Sequence, residues 1–292
     1  MADKSQLGYH PFTRALRYLL FKTRLGPYLG GQSYRDNRRF RDFCLAALKH
    51  RRQAEKATED DMFYHLLNGR DPETGQGYST GDLACESVLL MVAGSQSTSC
   101  GLSATLYYLA NNPEQLATLV RDVRAAFASE HEIRYEPGGR LAALPYMRAC
   151  IEESMRLTPP TPGHLPREVV AEGLEVDGIW LPPGTNIGVS TYALHRNEAY
   201  FPAADRFCPE RFLHDGNYGE ATAFNAFSAG STGCIGKQLA YVELCLAIAS
   251  LVLRYDFNVE HPGGDRVQYQ VKDVFVGAGK GPLVRLHRRA DI

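Results

Sequence analysis

The chain lacks closely spaced cysteine pairs, although it has seven cysteines among its 292 residues. There is no Cys-x-x-Cys motif and no tight spacing of cysteine with histidine; the seven lie at positions 44, 85, 100, 150, 208, 234 and 245. This scatter argues against a disulfide scaffold and against a zinc ribbon, and it suits a reducing compartment.

Long apolar runs are missing as well. No segment supplies eighteen consecutive apolar residues, and the N-terminal Met-Ala-Asp-Lys-Ser does not read as a signal peptide, so no transmembrane anchor is predicted. Because there are no repeats, low-complexity tracts or obvious linkers, we expect one domain over residues 1–292. A chain of this length, 44% hydrophobic and 22% charged, can bury a sizeable core.

The net charge of −1 is unevenly distributed along the chain. Residues 1–56 carry 13 Lys or Arg against 4 Asp or Glu, and the remainder carries 19 against 29. Basic and apolar residues alternate over 10–25, which fits either a helix lying on an anionic membrane surface or a solvated basic helix face. No nucleic-acid reading motif accompanies the charge, so we expect no nucleic-acid partner.

The most informative segment is Phe-Ser-Ala-Gly-Ser-Thr-Gly-Cys-Ile-Gly at 227–236, which runs directly into an apolar helical pattern at 237–255. It places Cys234 at the mouth of a helix, where the positive helix end and loop N–H groups stabilise a thiolate that can bind haem iron. Gly230 permits a tight turn, and Gly236 leaves no Cβ where the backbone would approach a flat macrocycle. The alternative for a lone cysteine is a small buried hydrophobe.

These residues resemble the cysteine loop of the cytochrome P-450 haem-thiolate monooxygenases, Phe-x-x-Gly-x-(Arg or His)-x-Cys-x-Gly. The resemblance implies haem (iron protoporphyrin IX) as the cofactor, Cys234 as its axial thiolate and metal ligand, and a haem-binding loop containing Phe227, Gly230 and Gly236. Thr232 stands where the family usually has a cation that binds a haem propionate. That contact is therefore expected to be weakened or supplied from elsewhere in the chain.

A Glu-x-x-Arg pair lies upstream in a helix-like stretch at 145–157. Glu153 and Arg156 share a helix face, and alone they would be read as an ordinary surface pair. Pro-Glu-Arg-Phe at 209–212 matches the position of the family's second arginine, Arg211. The resemblance implies that these three side chains form a buried charge network, which holds the segment before the Cys loop against the helix.

Another element is Ala-Gly-Ser-Gln-Ser-Thr at 93–98, inside a long helical pattern that ends before Pro113. In the family this helix crosses the haem, and an acid followed by an alcohol relays protons to bound oxygen. Here Gln96 stands at the acid position and Ser97 at the alcohol position, with Thr98 next; glutamine cannot deliver a proton as a carboxylic acid does. The alternative is a helix whose small polar residues pack closely against a neighbour.

The predicted fold class is mainly α with small β-sheets (α+β), the haem-binding core of the cytochrome P-450 fold. Helices are expected at 32–56, 59–67, 81–111, 113–127 and 145–157, short strands within 165–194, and a terminal sheet at 257–286. Arg167 precedes the first strand as it does in relatives, so the resemblance makes it a candidate propionate partner; the alternative is a surface arginine. The segments 159–165 and 273–277 would border the substrate.

The resemblance extends from about residue 35 to 286 and is nearest to fungal microsomal members that tailor secondary metabolites. It implies a monooxygenase that uses dioxygen, and NADPH through a separate reductase, to oxidise a hydrophobic small molecule. It also implies a place on the cytoplasmic side, peripheral on the endoplasmic reticulum membrane. Two alternatives stay open: a haem-thiolate isomerase or dehydratase, motivated by Gln96, and a non-catalytic fragment. The N-terminal part of the family fold has no counterpart here, so we expect an N-terminally truncated core that holds haem weakly.

Overall fold

A computed structural model describes residues 31–53, 61–213, 223–259, 269–273, 275–280 and 284–289. The chain divides into two compact units between Ser95 and Gln96. The basic segment at 10–25 lies outside the described residues, and a single domain over 1–292 stays a prediction. Within the described ranges, no helix combines the length and apolar character needed to cross a membrane.

Helices dominate both units, as predicted from the sequence. They are α1 (Gly31–Gln53), α2 (Met62–Asn68), α3 (Thr80–Asn111), α4 (Pro113–Ala126), α5 (Pro145–Leu157), α6 (Thr191–Leu194) and α7 (Lys237–Arg254). Shorter 3-10 turns lie at Glu130–Glu132, Pro209–Phe212 and Gly230–Thr232. Pro113 and Pro145 occupy the start of α4 and α5, where a missing N–H breaks no helical hydrogen bond.

The strands form four small antiparallel pairs. They are β1 (Arg167–Glu168) with β4 (Asn186–Ile187), β2 (Leu174–Val176) with β3 (Ile179–Leu181), β5 (Tyr255–Val259) with β8 (Val284–Arg288), and β6 (Gln270–Lys272) with β7 (Ala278–Lys280). The predicted turn between β2 and β3 has φ 50° at Asp177 and 77° at Gly178. Asp-Gly suits this left-handed two-residue hairpin loop.

In the first unit, one aspartate organises the start of α2. Asp61 caps the helix by accepting from the N–H of Tyr64 at 2.7 Å, and it also accepts from Nε of Arg51 on α1 at 3.2 Å. These contacts lower the pKa of Asp61. The cap therefore joins α1 to α2 as well as starting the second helix.

In the second unit, α4, α5 and α7 pack into one hydrophobic core. Leu119 of α4, Ile151 of α5 and Ile248 of α7 are fully buried, and burial of such a side chain is worth roughly 1.5–3 kcal/mol. Helix α5 is buried over most of its length, including the charged side chains of Glu153 and Arg156. The core thus supports both α5, which carries the Glu-x-x-Arg pair, and the helix that follows the Cys loop.

Candidate functional site

The Cys loop folds back on itself before α7. The backbone is left-handed at Ser228 (φ 59°) and at Gly230 (φ 72°), a conformation that suits glycine and is uncommon for other residues. The N–H of Cys234 donates to the carbonyl of Phe227 at 2.8 Å, and the N–H of Gly233 donates to that of Gly230 at 3.0 Å. These bonds close the loop and bring Cys234 to the N-terminus of α7.

The Cys234 side chain is exposed at this helix mouth. Among the described residues it forms no side-chain hydrogen bond, and a Cβ added to the capping residue Gly236 would lie 3.9 Å from its Sγ. The carbonyl of Gly236 begins the helix by accepting from the N–H of Ala240 at 2.9 Å. An exposed sulfur does not fit the buried-hydrophobe interpretation, and its position fits a ligand for iron presented beside a flat group.

Two other cysteines contrast with this setting. Burial raises the pKa of the Cys245 thiol on α7 to about 11, and it also raises the pKa of Cys150 on α5. Both groups therefore stay protonated near neutral pH and cannot readily serve as thiolate ligands.

The start of the loop is anchored on α7 by aromatic packing. The Phe227 ring lies 5.0 Å, centroid to centroid, from the ring of buried Tyr241. The hydroxyl of Tyr241 donates to Glu152 on α5 at 2.9 Å. Phe227 thus ties the Cys loop to the helix that the loop precedes.

The three charged residues predicted as a network lie together. Nε and Nη2 of Arg156 donate to the two carboxylate oxygens of Glu153 at 2.7 and 2.9 Å, and Nε of Arg211 donates to Glu153 at 3.2 Å. The side chains of Glu153 and Arg156 are fully buried, and that of Arg211 is 8% exposed. The side chains are therefore not an ordinary surface pair. Removal of any one of the three would leave a buried charge without its partner, which is strongly destabilising.

Arg167 contacts the Cys loop at the residue that replaces the family's cation. Its Nη2 donates to Oγ1 of Thr232 at 2.7 Å, and its Nη1 donates to the carbonyl of Pro166 at 3.0 Å. Both Arg167 and Thr232 are exposed. A positive charge from β1 thus stands beside the loop position that lacks one.

The predicted relay residues lie in the middle of α3. Gln96 is exposed, whereas Ser97 and Thr98 are half-buried. Helix α3 approaches α7 at Gly101, where an added Cβ would lie 3.5 Å from the Leu244 side chain. The close helix contact is therefore at Gly101, three residues beyond the motif.

The two segments expected to border the substrate meet each other. The N–H of Gly277 donates to the carbonyl of Pro160 at 2.7 Å, and a Cβ at Gly163 would overlap the carboxylate of Asp273. Cys100 of α3 donates to the carbonyl of Gly277. The segments therefore lie together, next to the part of α3 that follows the relay motif.

Sequence reasoning missed His195, which is buried beside the charge network. Its Nδ1 lies 3.1 Å from the carbonyl of Arg156, and its Nε2 accepts from the N–H of Asn225 at 2.8 Å. Burial lowers the pKa of His195 to about 4. With nine histidines in the chain, no local pattern distinguishes this one, because its partners are distant in sequence.

Comparisons with known proteins agree with this arrangement. A cytochrome P-450 monooxygenase of Gibberella zeae is 36% identical over 281 residues, covering 91% of this chain and 65% of its own length. A cytochrome P-450 monooxygenase of Alternaria alternata, AKT7, is 37% identical, covering 91% of this chain and 55% of its own length. The crystal structure of a cytochrome P-450, CYP102L1, superposes with a TM-score of 0.77 at 23% identity, over 96% of this chain and 65% of the solved one.

The chain therefore spans between about half and two thirds of the length of these relatives. The similarity nevertheless includes the Cys loop and the helices that support it, since the family model described as cytochrome P-450 matches residues 14–280. On the combined grounds of that match, the identity to the relatives and the fold, the chain belongs to the cytochrome P-450 family.

Proposed function

We propose that this chain is the haem-binding core of a haem-thiolate monooxygenase that oxidises a hydrophobic small molecule in fungal secondary metabolism. The observation that carries the proposal is the exposed thiol of Cys234 at the N-terminus of α7. Its sulfur has no hydrogen-bond partner among the described residues, and the loop that presents it is closed by backbone bonds. The names of the fungal relatives, cytochrome P-450 monooxygenases, support the reaction class.

The residues present fit a haem. Cys234 would bind the iron, while Phe227, Gly230 and Gly236 shape the loop beside the macrocycle. Arg167 would bind a propionate, with its guanidinium oriented by the hydroxyl of Thr232. Bound haem would supply activation of dioxygen and oxidation of an unactivated C–H bond, with electrons from NADPH through a separate reductase.

The protein's own contribution lies in holding the ligand loop and in moving protons. Glu153, Arg156 and Arg211 fix the segment that precedes the loop against α5. Ser97 and Thr98 each carry a hydroxyl that can accept and donate a proton on α3. Gln96 can only form hydrogen bonds, so proton delivery passes through the hydroxyl groups.

A haem-thiolate isomerase or dehydratase is the second candidate, favoured by Gln96 at the acid position of the family pattern. Such an enzyme rearranges its substrate without activating oxygen and needs no proton relay from an acid. In either case we place the protein on the cytoplasmic side, peripheral on the endoplasmic reticulum membrane, as for the microsomal members that it resembles.

Labelled oxygen separates these functions. The haem-reconstituted chain is incubated with NADPH, a cytochrome P-450 reductase, ¹⁸O₂ and two hydrophobic probes, lauric acid and an unlabelled fatty-acid hydroperoxide. A monooxygenase consumes NADPH and places one ¹⁸O atom in the product, and Cys234→Ala abolishes both. NADPH-independent conversion of a hydroperoxide probe to a product without ¹⁸O would instead favour the isomerase or dehydratase.

A further inference from the structure

The His195 side chain joins two segments that are separated in sequence and carry different parts of the site. It is fully buried, and each ring nitrogen has a backbone partner, the carbonyl of Arg156 and the N–H of Asn225. A backbone N–H can only donate, so Nε2 must be the acceptor. The proton therefore resides on Nδ1, which donates to the carbonyl of Arg156.

The tie between Arg156 and His195 runs in both directions. Nη1 of Arg156 donates to the carbonyl of His195 at 2.7 Å, while the His195 ring binds the carbonyl of Arg156. Phe224 stacks on the imidazole at 5.3 Å, and Phe201 meets it edge-on at 6.0 Å, centroid to centroid. Rotation of the ring is therefore opposed by hydrogen bonds at both nitrogens and by packing on its face and edge.

Asn225 stands at the entrance to the Cys loop. Its N–H donates to His195, and its carbonyl accepts from the N–H of Ser228 at 3.1 Å. Phe227, two residues beyond Asn225, supplies the carbonyl that accepts from the N–H of Cys234. A continuous series of hydrogen-bonded backbone groups thus leads from the His195 ring to the proposed iron ligand.

We infer that His195 is a positioning residue, whose Nε2 acceptor holds the backbone of Asn225 and so fixes the Cys loop relative to Arg156 of the buried charge network. The inference rests on the proposed haem-thiolate function only for the consequence at the iron. The contact itself concerns protein groups alone.

The setting of His195 preserves this acceptor. Protonation would turn Nε2 into a donor aimed at a second donor, the Asn225 N–H, with no acceptor between them. Burial opposes that charge, as do the positive charges of Arg156 on α5 and Arg196 in the turn after α6; together these hold the pKa of His195 at about 4. The ring therefore keeps the same tautomer across the physiological range.

Three variants of the 292-residue chain test the role of the Nε2 acceptor. His195→Gln can place its amide oxygen near the position of Nε2, His195→Asn has a shorter amide that reaches only the position of Nδ1, and His195→Phe keeps the ring stacking but neither polar group. Amide hydrogen exchange is followed by mass spectrometry in a peptide covering 223–236, with a peptide within α4 as the internal control. We expect about tenfold faster exchange at 223–236 in the Asn and Phe variants and a change within about twofold in the Gln variant.

The effect on iron ligation is measured with the same three His195 variants. After haem reconstitution, the Asn and Phe variants should lose most of the thiolate-type band of the reduced, carbon monoxide-bound protein, and the Gln variant should retain it. Equal exchange in Gln and Phe variants, or no change in any of them, would overturn the positioning role. Absence of a thiolate band in the unaltered chain with the exchange pattern intact would overturn the proposed haem function and leave the inference standing.

A measurement on the unaltered chain covers the case in which the variants fail to fold. Nitrogen NMR of protein labelled with ¹⁵N in histidine and asparagine reports which ring nitrogen carries the proton, and a correlation through the hydrogen bond to the Asn225 amide identifies His195. The inference predicts a neutral ring protonated at Nδ1 at pH 7. A ring protonated at Nε2, or at both nitrogens, would overturn it.

Discussion

At the level of single residues, the Cys loop departs from the family pattern at one position, and a neighbouring strand places a charge there. Thr232 supplies a hydroxyl in place of a cation, and Arg167 of β1 donates to that hydroxyl at 2.7 Å. A hydroxyl cannot neutralise a propionate, but it can orient a guanidinium that would do so in the haem-bound protein. The positive charge is thus available from β1, and the hydrogen bond to Thr232 orients the Arg167 guanidinium toward the Cys loop.

Replacement of Arg167 by Ala should accelerate haem loss. A hydrogen bond to a charged group is worth roughly 1.5–3 kcal/mol, so transfer of haem to a scavenging apoprotein should be about tenfold faster or more. Thr232→Val should give a smaller acceleration, because it removes the orienting hydroxyl and leaves the charge. Arg134→Ala, an exposed arginine in the loop between α4 and α5, serves as the control. Transfer rates equal to that control would remove Arg167 from haem binding.

His195 should make the stability of the fold depend on pH. Its pKa is about 4 in the folded chain and near 6.5 when exposed, so the unfolded state takes up a proton first as the pH falls. Stability is therefore full above pH 6.5 and declines between pH 6.5 and 4, by up to about 3 kcal/mol. Urea unfolding at several pH values should show a flatter decline for His195→Gln. An identical decline in both proteins would assign the effect to other groups.

Among the secondary-structure elements, α5 carries two fully buried charged side chains, Glu153 and Arg156, which would be costly to leave unpaired. Glu153 accepts from Arg156, from Arg211 and from the N–H of Cys208 at 2.9 Å. Removal of the carboxylate would leave two buried guanidinium groups without their main partner. The network is therefore expected to respond strongly to change at one member, unlike the exposed Arg121–Asp122 pair on α4.

Substitution of Glu153 by Gln should lower the free energy of unfolding by about 3–5 kcal/mol, because it leaves uncompensated buried charge. Arg121→Ala on α4, whose side chain is 71% exposed and pairs with Asp122, should change it little. Urea denaturation monitored by circular dichroism provides the comparison. A loss for Glu153→Gln no greater than that for Arg121→Ala would contradict a structural role for the network.

On α3, Gln96 should limit the delivery of protons to the haem site, because an amide cannot act as an acid. Gln96→Asp introduces an ionisable group at the acid position, so the amount of product formed per NADPH consumed should rise. Gln96→Leu, which cannot ionise, should lower that amount or leave it unchanged. If both variants retain haem and couple equally well, Gln96 has no part in the relay.

The sequence predicts elements more readily than contacts. Pro113 and Pro145 mark helix starts because of their own covalent structure, and the apolar pattern of α7 needs no tertiary information. By contrast, the Arg167–Thr232 bond joins residues 65 positions apart, and the His195–Asn225 bond joins residues 30 apart. Neither has a local periodicity, so only the folded chain brings them together.

For the molecule as a whole, the proposed haem-thiolate function depends on Cys234 as the iron ligand. The family is established by the match over residues 14–280 and by the fold, and the remaining proposals follow from where the iron would bind. Cys245 offers a matched control, because it lies on the same helix, α7, with a pKa that burial raises to about 11.

The most direct test is the spectrum of the reduced, carbon monoxide-bound protein for two variants reconstituted with haem. Cys234→Ser should abolish the thiolate-type Soret band, because an alcohol does not supply a soft anionic ligand at neutral pH. Cys245→Ala should leave that band intact. A thiolate band that persists in Cys234→Ser would contradict the assignment of Cys234 as the iron ligand.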